Sequence, residues 1–237
     1  MTHQAGPDKA PDRIAGMFDA IAPRYDFLNH ALSLGIDRRW RARAIRSLRL
    51  TGRETLLDVC TGTADVALQA EGAARVVGVD FAAAMLRIGL QKVNAAREAS
   101  RVTLVRGDAT ALPVPDAAVD AATIAFGIRN VERPDRACAE LARVMRPGAR
   151  LAILEFGVPR VPGLRALYLA YFKYLLPFVG RLVSGHRAAY SYLPASVGAF
   201  PPPAEFAAML TRAGFRAVRA DPLTLGIVYL YTGVRGR

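Results

Sequence analysis

The chain is poor in metal-binding and cross-linking residues. Its 237 residues include two cysteines, Cys60 and Cys138, and three histidines. The cysteines stand far apart with no paired ligand spacing and no histidine cluster beside them, so neither a disulfide framework nor a metal site is expected. Such usage fits a reducing cytoplasm. Export is not expected either: the opening "MTHQAGPDKAPDR" is polar and has no apolar core of signal-peptide type. No internal repeat and no low-complexity linker divides the chain. The most apolar segment, Leu164 to Val183, is interrupted by Arg165, Lys173 and Arg181 and broken by Pro177. Its helical part before Pro177 reaches about 20 Å at ~1.5 Å per residue, short of the ~30 Å hydrocarbon core. It is not expected to cross a membrane.

What is present suffices for a well-buried domain. At 52% apolar the chain can bury one core, with helical additions. The net charge of +12, nearly all of it from arginine, favours anionic partners, although a GC-rich genome gives the same composition. Residues 1–12 read as a disordered tail and 13–237 as a single domain. Within it, 13–50 form an N-terminal helical cap interrupted at Pro23 and Gly35, and 160–200 an aromatic, Leu-rich and Pro-rich cap insertion.

Between the caps, β-rich runs alternate with helical ones. "ETLLDVC", "RVVGVD", "RVTLVRGDA", "VDAATIAF" and "ARLAILEF" read as strands, with "DRACAELARVM" as a helix. That alternation indicates a parallel sheet covered on both faces. "PPPAEFAAMLTRAGF" then reads as a helix opened by prolines and closed at Gly214, and "RAVRADPL" and "GIVYLYTGV" as two further strands. The expectation is a doubly wound α/β fold.

In such a sheet, ligands bind outside the carboxyl ends of the strands. The loop "CTGTAD" stands there, after the first strand. A dinucleotide loop needs several glycines so that a pyrophosphate can reach the backbone, and here only Gly62 is so placed, which disfavours NAD. A cofactor without phosphates, such as S-adenosylmethionine, asks less: one close approach, small side chains, and an acid for its positive ends. Asp58 and Asp65 flank the loop, and Thr63 offers a hydroxyl and an amide. "VVGVD" ends in Asp80, about 20 residues past the loop, where an acid typically accepts from both ribose hydroxyls. Asp108 ends a third strand and can accept from the adenine amine, with Ala109 offering its amide. Phe81 and Met85 can cover the adenine faces. A lone aspartate after a strand is commonly a helix N-cap, but three acids at three successive strand ends favour a cofactor.

With these residues on the page, "MFDAIAPRYDFLNHALSLGIDRRWR", "LLDVCTGTAD", "FGIRN" and "YLPASVGAF" resemble the ubiquinone/menaquinone biosynthesis C-methyltransferase family, in order from Ile14 to Val234. The resemblance implies a class I S-adenosylmethionine-dependent methyltransferase fold, Rossmann-like, with a seven-stranded mostly parallel sheet. It implies methyl transfer to a quinol ring carbon, with cofactor contacts at Thr63, Asp80, Asp108 and Ala109. The family's usual serine before "FG" is Ala125 here, so that side-chain bond is absent. Where the family often has asparagine, this chain has Asp108. "CTGTAD" resembles the loop of the menaquinone branch more than the "GGTGD" form, which points to demethylmenaquinone.

The carbon to be methylated must be nucleophilic, so the acceptor is a reduced prenylated naphthoquinol. Arg129 can donate to a ring oxyanion and Asn130 can hold the other oxygen, while a guanidinium does not give up its proton. Tyr25 and Asp26, or His186 and Tyr190, are the acid/base candidates. The apolar segment is read as a cap with a partly exposed mouth. "RRWRAR" reads as a solvated helix face, or as a contact for the anionic inner face of the cytoplasmic membrane. Nucleic acid is not an expected partner, because no RNA-binding module accompanies the charge; oligomeric state is left open. The alternatives are a methyltransferase for another small aromatic or RNA, or a non-catalytic assembly partner on the same fold.

Overall fold

The computed structural model describes residues 9–159, 161–171, 174 and 187–237. Its centre is a seven-stranded sheet. The strands are β1 (Thr55–Val59), β2 (Arg75–Asp80), β3 (Val102–Arg106), β4 (Val119–Ala125), β5 (Met145–Phe156), β6 (Phe215–Leu223) and β7 (Val228–Arg235). Their spatial order is β3-β2-β1-β4-β5-β7-β6. The pairs from β3 across to β5 are parallel, and β7 lies antiparallel between β5 and β6. All seven expected strands are present.

The alternation of side chains across the pleat explains the two-sided core. Leu57, Val59, Ile124, Ile153 and Tyr231 face one side with Leu141, Phe206 and Leu210. Leu56, Val76, Leu154 and Leu230 face the other with Trp40, Leu48 and Val93. The helices that supply these partners are α2 (Ile36–Ser47), α3 (Asp65–Gln69), α4 (Ala83–Ala95), α5 (Pro134–Val144) and α8 (Pro203–Arg212). In α5, Pro134 occupies the start and Ala137, Cys138, Leu141, Ala142 and Val144 form the buried stripe. Gly214, at φ +100°, follows α8 as the sequence predicts.

The caps are α1 (Pro11–Leu32), α6 (Pro162–Ala170) and α7 (Arg187–Ala199). Two details differ from expectation. The first helix starts at Pro11, taking in the last two residues of the segment read as tail, and it continues through Pro23. One missing N–H does not end it, because Phe18, Ala22 and Tyr25 pack against Ala82, Met85 and Ile88 at the start of α4. The true break is Leu34 and Gly35, both at positive φ. His186 and most of the segment from Lys173 to Val183 lie outside the described residues, as does the side chain of Tyr190. Among the described residues no helix is long and apolar enough to cross a membrane.

The strand order reverses at β1 and β4, which pair side by side. A crevice therefore opens beyond their carboxyl ends, and the functional groups collect there.

Candidate active site

Cys60, Gly62 and Ala64, at the end of β1, have φ values of +55°, +55° and +66°. Two of these are not glycine, and left-handed geometry at such residues costs about 1–3 kcal/mol each. The loop thus keeps the backbone of a glycine-rich turn with a single glycine, Gly62. Among the hydrogen bonds that hold it, four bear on the site. The Gly62 N–H donates to Asp80 Oδ2 at 2.8 Å, the Thr61 hydroxyl to Asp58 at 2.6 Å and the Thr63 hydroxyl to Asp26 at 2.6 Å. The fourth closes the turn, from the Ala64 N–H to the Thr61 carbonyl at 2.9 Å. Across the crevice, β4 ends at Ala125 and is followed by left-handed Phe126 and by Gly127. A Cβ on Gly127 would lie 2.3 Å from Cys60 Cβ, so the backbone of the "FG" turn lies directly against the Cys60 side chain of the cofactor loop.

Two cavities meet in this crevice. The smaller, of about 150 Å³, is walled by Gly62, Asp80, Phe81, Met85, Asp108 and Ala109, and closed by Ile14 and Phe18 of α1. The larger, of about 450 Å³, is walled mainly by apolar groups, including Trp40, Phe126, Phe156 and Ile227, with Arg129 among them. Phe18, Tyr25 and Phe126 belong to both walls.

The expected site residues divide into those on the walls and those behind them. Gly62, Asp80, Asp108, Ala109, Asn130 and Tyr25 line the smaller cavity, and Arg129 the larger. Asp108 is partly engaged: its Oδ1 accepts from the Thr110 amide at 2.7 Å and hydroxyl at 2.9 Å. Asp58 lies behind the loop, fully buried, and Thr63 faces α1 instead of the cavity. Asp26 is also off the walls. Its oxygens accept from Thr63 and, at 3.0 Å, from Lys92, so it braces α1 against the loop. Asp65 pairs with Lys92 and, at 3.0 Å, with Arg41. That pairing accounts for a departure in "RRWRAR": Arg38, Arg39 and Arg43 are exposed, whereas Arg41 is buried between Asp37 and Asp65.

Burial dominates the electrostatics. It pushes Asp58 up to about 7, against the hydrogen bond from Thr61. Asp80 is raised for the same reason, with the Ala82 and Gly62 amides opposing. Tyr25 is raised as well, which keeps it a neutral phenol at physiological pH. Arg129 is fixed by Glu155: its Nη1 donates to Oε1 at 2.9 Å and its own amide to Oε2 at 3.1 Å. The guanidinium also lies 5.3 Å from the Phe156 ring centroid. Its Nε and Asn130 Oδ1 are buried without a hydrogen-bond partner among the described residues. Buried polar groups are rarely left so, and two beside one crevice call for a ligand.

A model of the ubiE/COQ5 methyltransferase family matches residues 7–235. The chain belongs to that family. Among its relatives, the ubiquinone/menaquinone biosynthesis C-methyltransferase UbiE of Syntrophotalea carbinolica is 48% identical over 98% of this chain and 96% of its own. The demethylmenaquinone methyltransferase of Thermus thermophilus is 47% identical over 92% of this chain and 100% of its own. In fold, the chain is similar to an S-adenosylmethionine-dependent methyltransferase of Thermotoga maritima, with a TM-score of 0.66 at 17% identity, covering 93% and 99% of the two chains. The family member described here is accordingly a class I, Rossmann-like methyltransferase of quinone biosynthesis.

Sequence reasoning missed several groups. Lys9, assigned to the tail, lines the smaller cavity, where burial lowers its pKa and the Glu155 charge raises it. Nothing in its neighbours signals this. Glu155 was legible in principle, since it ends a strand as Asp80 does. Tyr192 on α7 lines the larger cavity and is reached only through the tertiary fold.

Proposed function

We propose that this chain methylates a ring carbon of a reduced prenylated naphthoquinone, demethylmenaquinol, with S-adenosylmethionine as donor. What carries this reading is the pair of abutting cavities, a small one with buried acids and a larger apolar one, sharing the walls Phe18, Tyr25 and Phe126.

The residues of the small cavity fit S-adenosylmethionine. Each Asp80 oxygen already accepts one backbone N–H, from Gly62 and Ala82, yet a carboxylate has about four acceptor sites, which leaves room for two ribose hydroxyls. Asp108 Oδ2 has no bond among the described residues and suits the adenine amine. Phe81 and Met85 supply apolar faces, and the Gly62 backbone gives the close approach. When bound, the cofactor supplies an electrophilic methyl group on a sulfonium.

The chain's own groups then act on the acceptor. Trp40, Phe126 and Phe156 form one aromatic cluster that suits a fused-ring head group. Arg129, held by Glu155, donates to the ring oxyanion that drives density onto the neighbouring carbon. Tyr25, neutral and on both walls, donates as well and does not serve as the base. Asp26 and Lys92 keep α1 seated so that both walls form.

The mouth of the larger cavity has Leu34 and Leu167 on its rim, 87% and 68% exposed. Exposed Arg38, Arg39 and Arg165 stand close to them in sequence. An apolar rim beside cations supports an isoprenoid tail running from the cavity into an anionic membrane surface. The test of the reaction is an acceptor panel. Methyl-labelled cofactor should label reduced demethylmenaquinone in preference to a ubiquinone precursor, and should leave RNA unlabelled. Label in RNA alone would overturn the reading.

A further inference from the structure

Arg129 Nε and Asn130 Oδ1 have a third counterpart. The hydroxyl of Tyr192, on α7, is buried and has no hydrogen-bond partner among the described residues. Tyr192 lines the larger cavity together with Arg129, and α7 packs against the short helical turn Ile128–Asn130 that carries Arg129. We propose that Tyr192 hydrogen-bonds the second ring oxygen of the hydroquinone, across the ring from the oxygen held by Arg129. This rests on the naphthoquinol reading above.

The donor and acceptor accounting favours it. A para-hydroquinone has two oxygens on opposite edges of the ring, and one guanidinium fork reaches one edge. The other edge needs its own partner, and Asn130, the residue expected to hold it, lines the smaller cavity instead of the larger. The cap supplies that partner while the turn after β4 supplies Arg129, so the head group is gripped between the cap and the end of the sheet. Burial raises the Tyr192 pKa, against the Arg129 charge, and the group stays a neutral phenol. As such it carries one donor and two acceptor lone pairs, and can meet either a hydroxyl or an oxyanion. A tyrosine kept only for packing would lose nothing as phenylalanine, since its oxygen has no hydrogen-bond partner among the described residues.

Tyr192→Phe removes that oxygen alone. The expected variant folds, melts at or slightly above the wild-type temperature, and binds S-adenosylmethionine normally by calorimetry. Its kcat/KM for reduced demethylmenaquinone falls about 10- to 100-fold. Trp40 is the sole tryptophan and lines the same cavity, so quenching of its fluorescence reads quinol binding without turnover and should report a matching loss. A second acceptor, a prenylated naphthol that keeps the hydroxyl beside the accepting carbon and lacks the distal one, should be used equally by both proteins. The proposal is overturned if Tyr192→Phe stays within twofold of wild type on the hydroquinone, or if it loses as much on the naphthol. A wild-type protein that neither binds nor methylates any quinol would instead sink the parent reading, and this proposal with it.

Discussion

Gly127→Ala tests whether the "FG" turn is built against the cofactor loop. The added Cβ would stand 2.3 Å from Cys60 Cβ and 2.8 Å from its Sγ. Both Cβ atoms are rigidly tied to backbone, so one chain must move. Overpacking of this kind costs about 1–3 kcal/mol, and a contact this short belongs at the upper end. For a chain of this size each kcal/mol lowers Tm by roughly 2–4 °C, so a fall of about 6–12 °C is expected. Cofactor affinity should fall as well, because the displaced loop carries the Gly62 amide. The decisive partner is Cys60→Gly. It removes the colliding atoms and relaxes a left-handed residue, so alone it should be neutral or mildly stabilising. Combined with Gly127→Ala it should recover most of the lost stability, an interaction energy of about 2 kcal/mol in a double-mutant cycle. Thermal denaturation with and without S-adenosylmethionine reads all four proteins. Additive effects of the two substitutions would refute the contact.

Asp80→Asn replaces one acceptor with a donor facing an amide N–H and removes the charge. With hydrogen bonds to charged groups worth about 1.5–3 kcal/mol, cofactor affinity should drop about 10²- to 10⁴-fold by calorimetry, and a change under threefold would exclude the role. Arg129→Lys keeps a cation for Glu155 and loses the planar fork, so it should leave cofactor binding intact and slow turnover; equal loss of binding would reassign it. Asp58 carries a raised pKa, so its contribution to stability is full below the unfolded value of 3.8 and is lost as pH rises through about 7. The stability advantage of wild type over Asp58→Asn should therefore shrink by roughly 4 kcal/mol across that window in denaturant titrations. A difference independent of pH would mean that Asp58 is not buried as a neutral acid. In sedimentation with vesicles, the protein should pellet with anionic liposomes more than with neutral ones, and equal pelleting would remove the membrane contact at the cavity mouth.

The strands were legible because both faces of the sheet are covered, which leaves short, near-continuous apolar runs rich in β-branched residues and bounded by turns. Asp80 and Asp108 were legible through their position at strand ends. The "CTGTAD" loop was only half legible. Its missing glycines disfavoured a pyrophosphate but did not reveal that Cys60 and Ala64 adopt glycine-like φ angles, and the constraint imposed by Gly127 lies 67 residues away in sequence. Thr63, Asp58 and Asp26 were recognised as part of the site, but sequence carries no sign of direction, and their side chains face the scaffold. Tyr192 and Trp40 enter through α7 and α2, which reach the larger cavity only when the caps close over the sheet. No local periodicity encodes that meeting.

The central claim is that the two cavities join an adenosyl cofactor to a reduced naphthoquinol. It is tested most directly by one anaerobic assay, in which methyl-labelled S-adenosylmethionine is incubated with the protein and either chemically reduced or oxidised demethylmenaquinone. The account predicts label in the naphthoquinol ring with the reduced acceptor and none with the oxidised one, because only the hydroquinone can push electron density onto the accepting carbon. Equal labelling of both forms, or of neither, would contradict it.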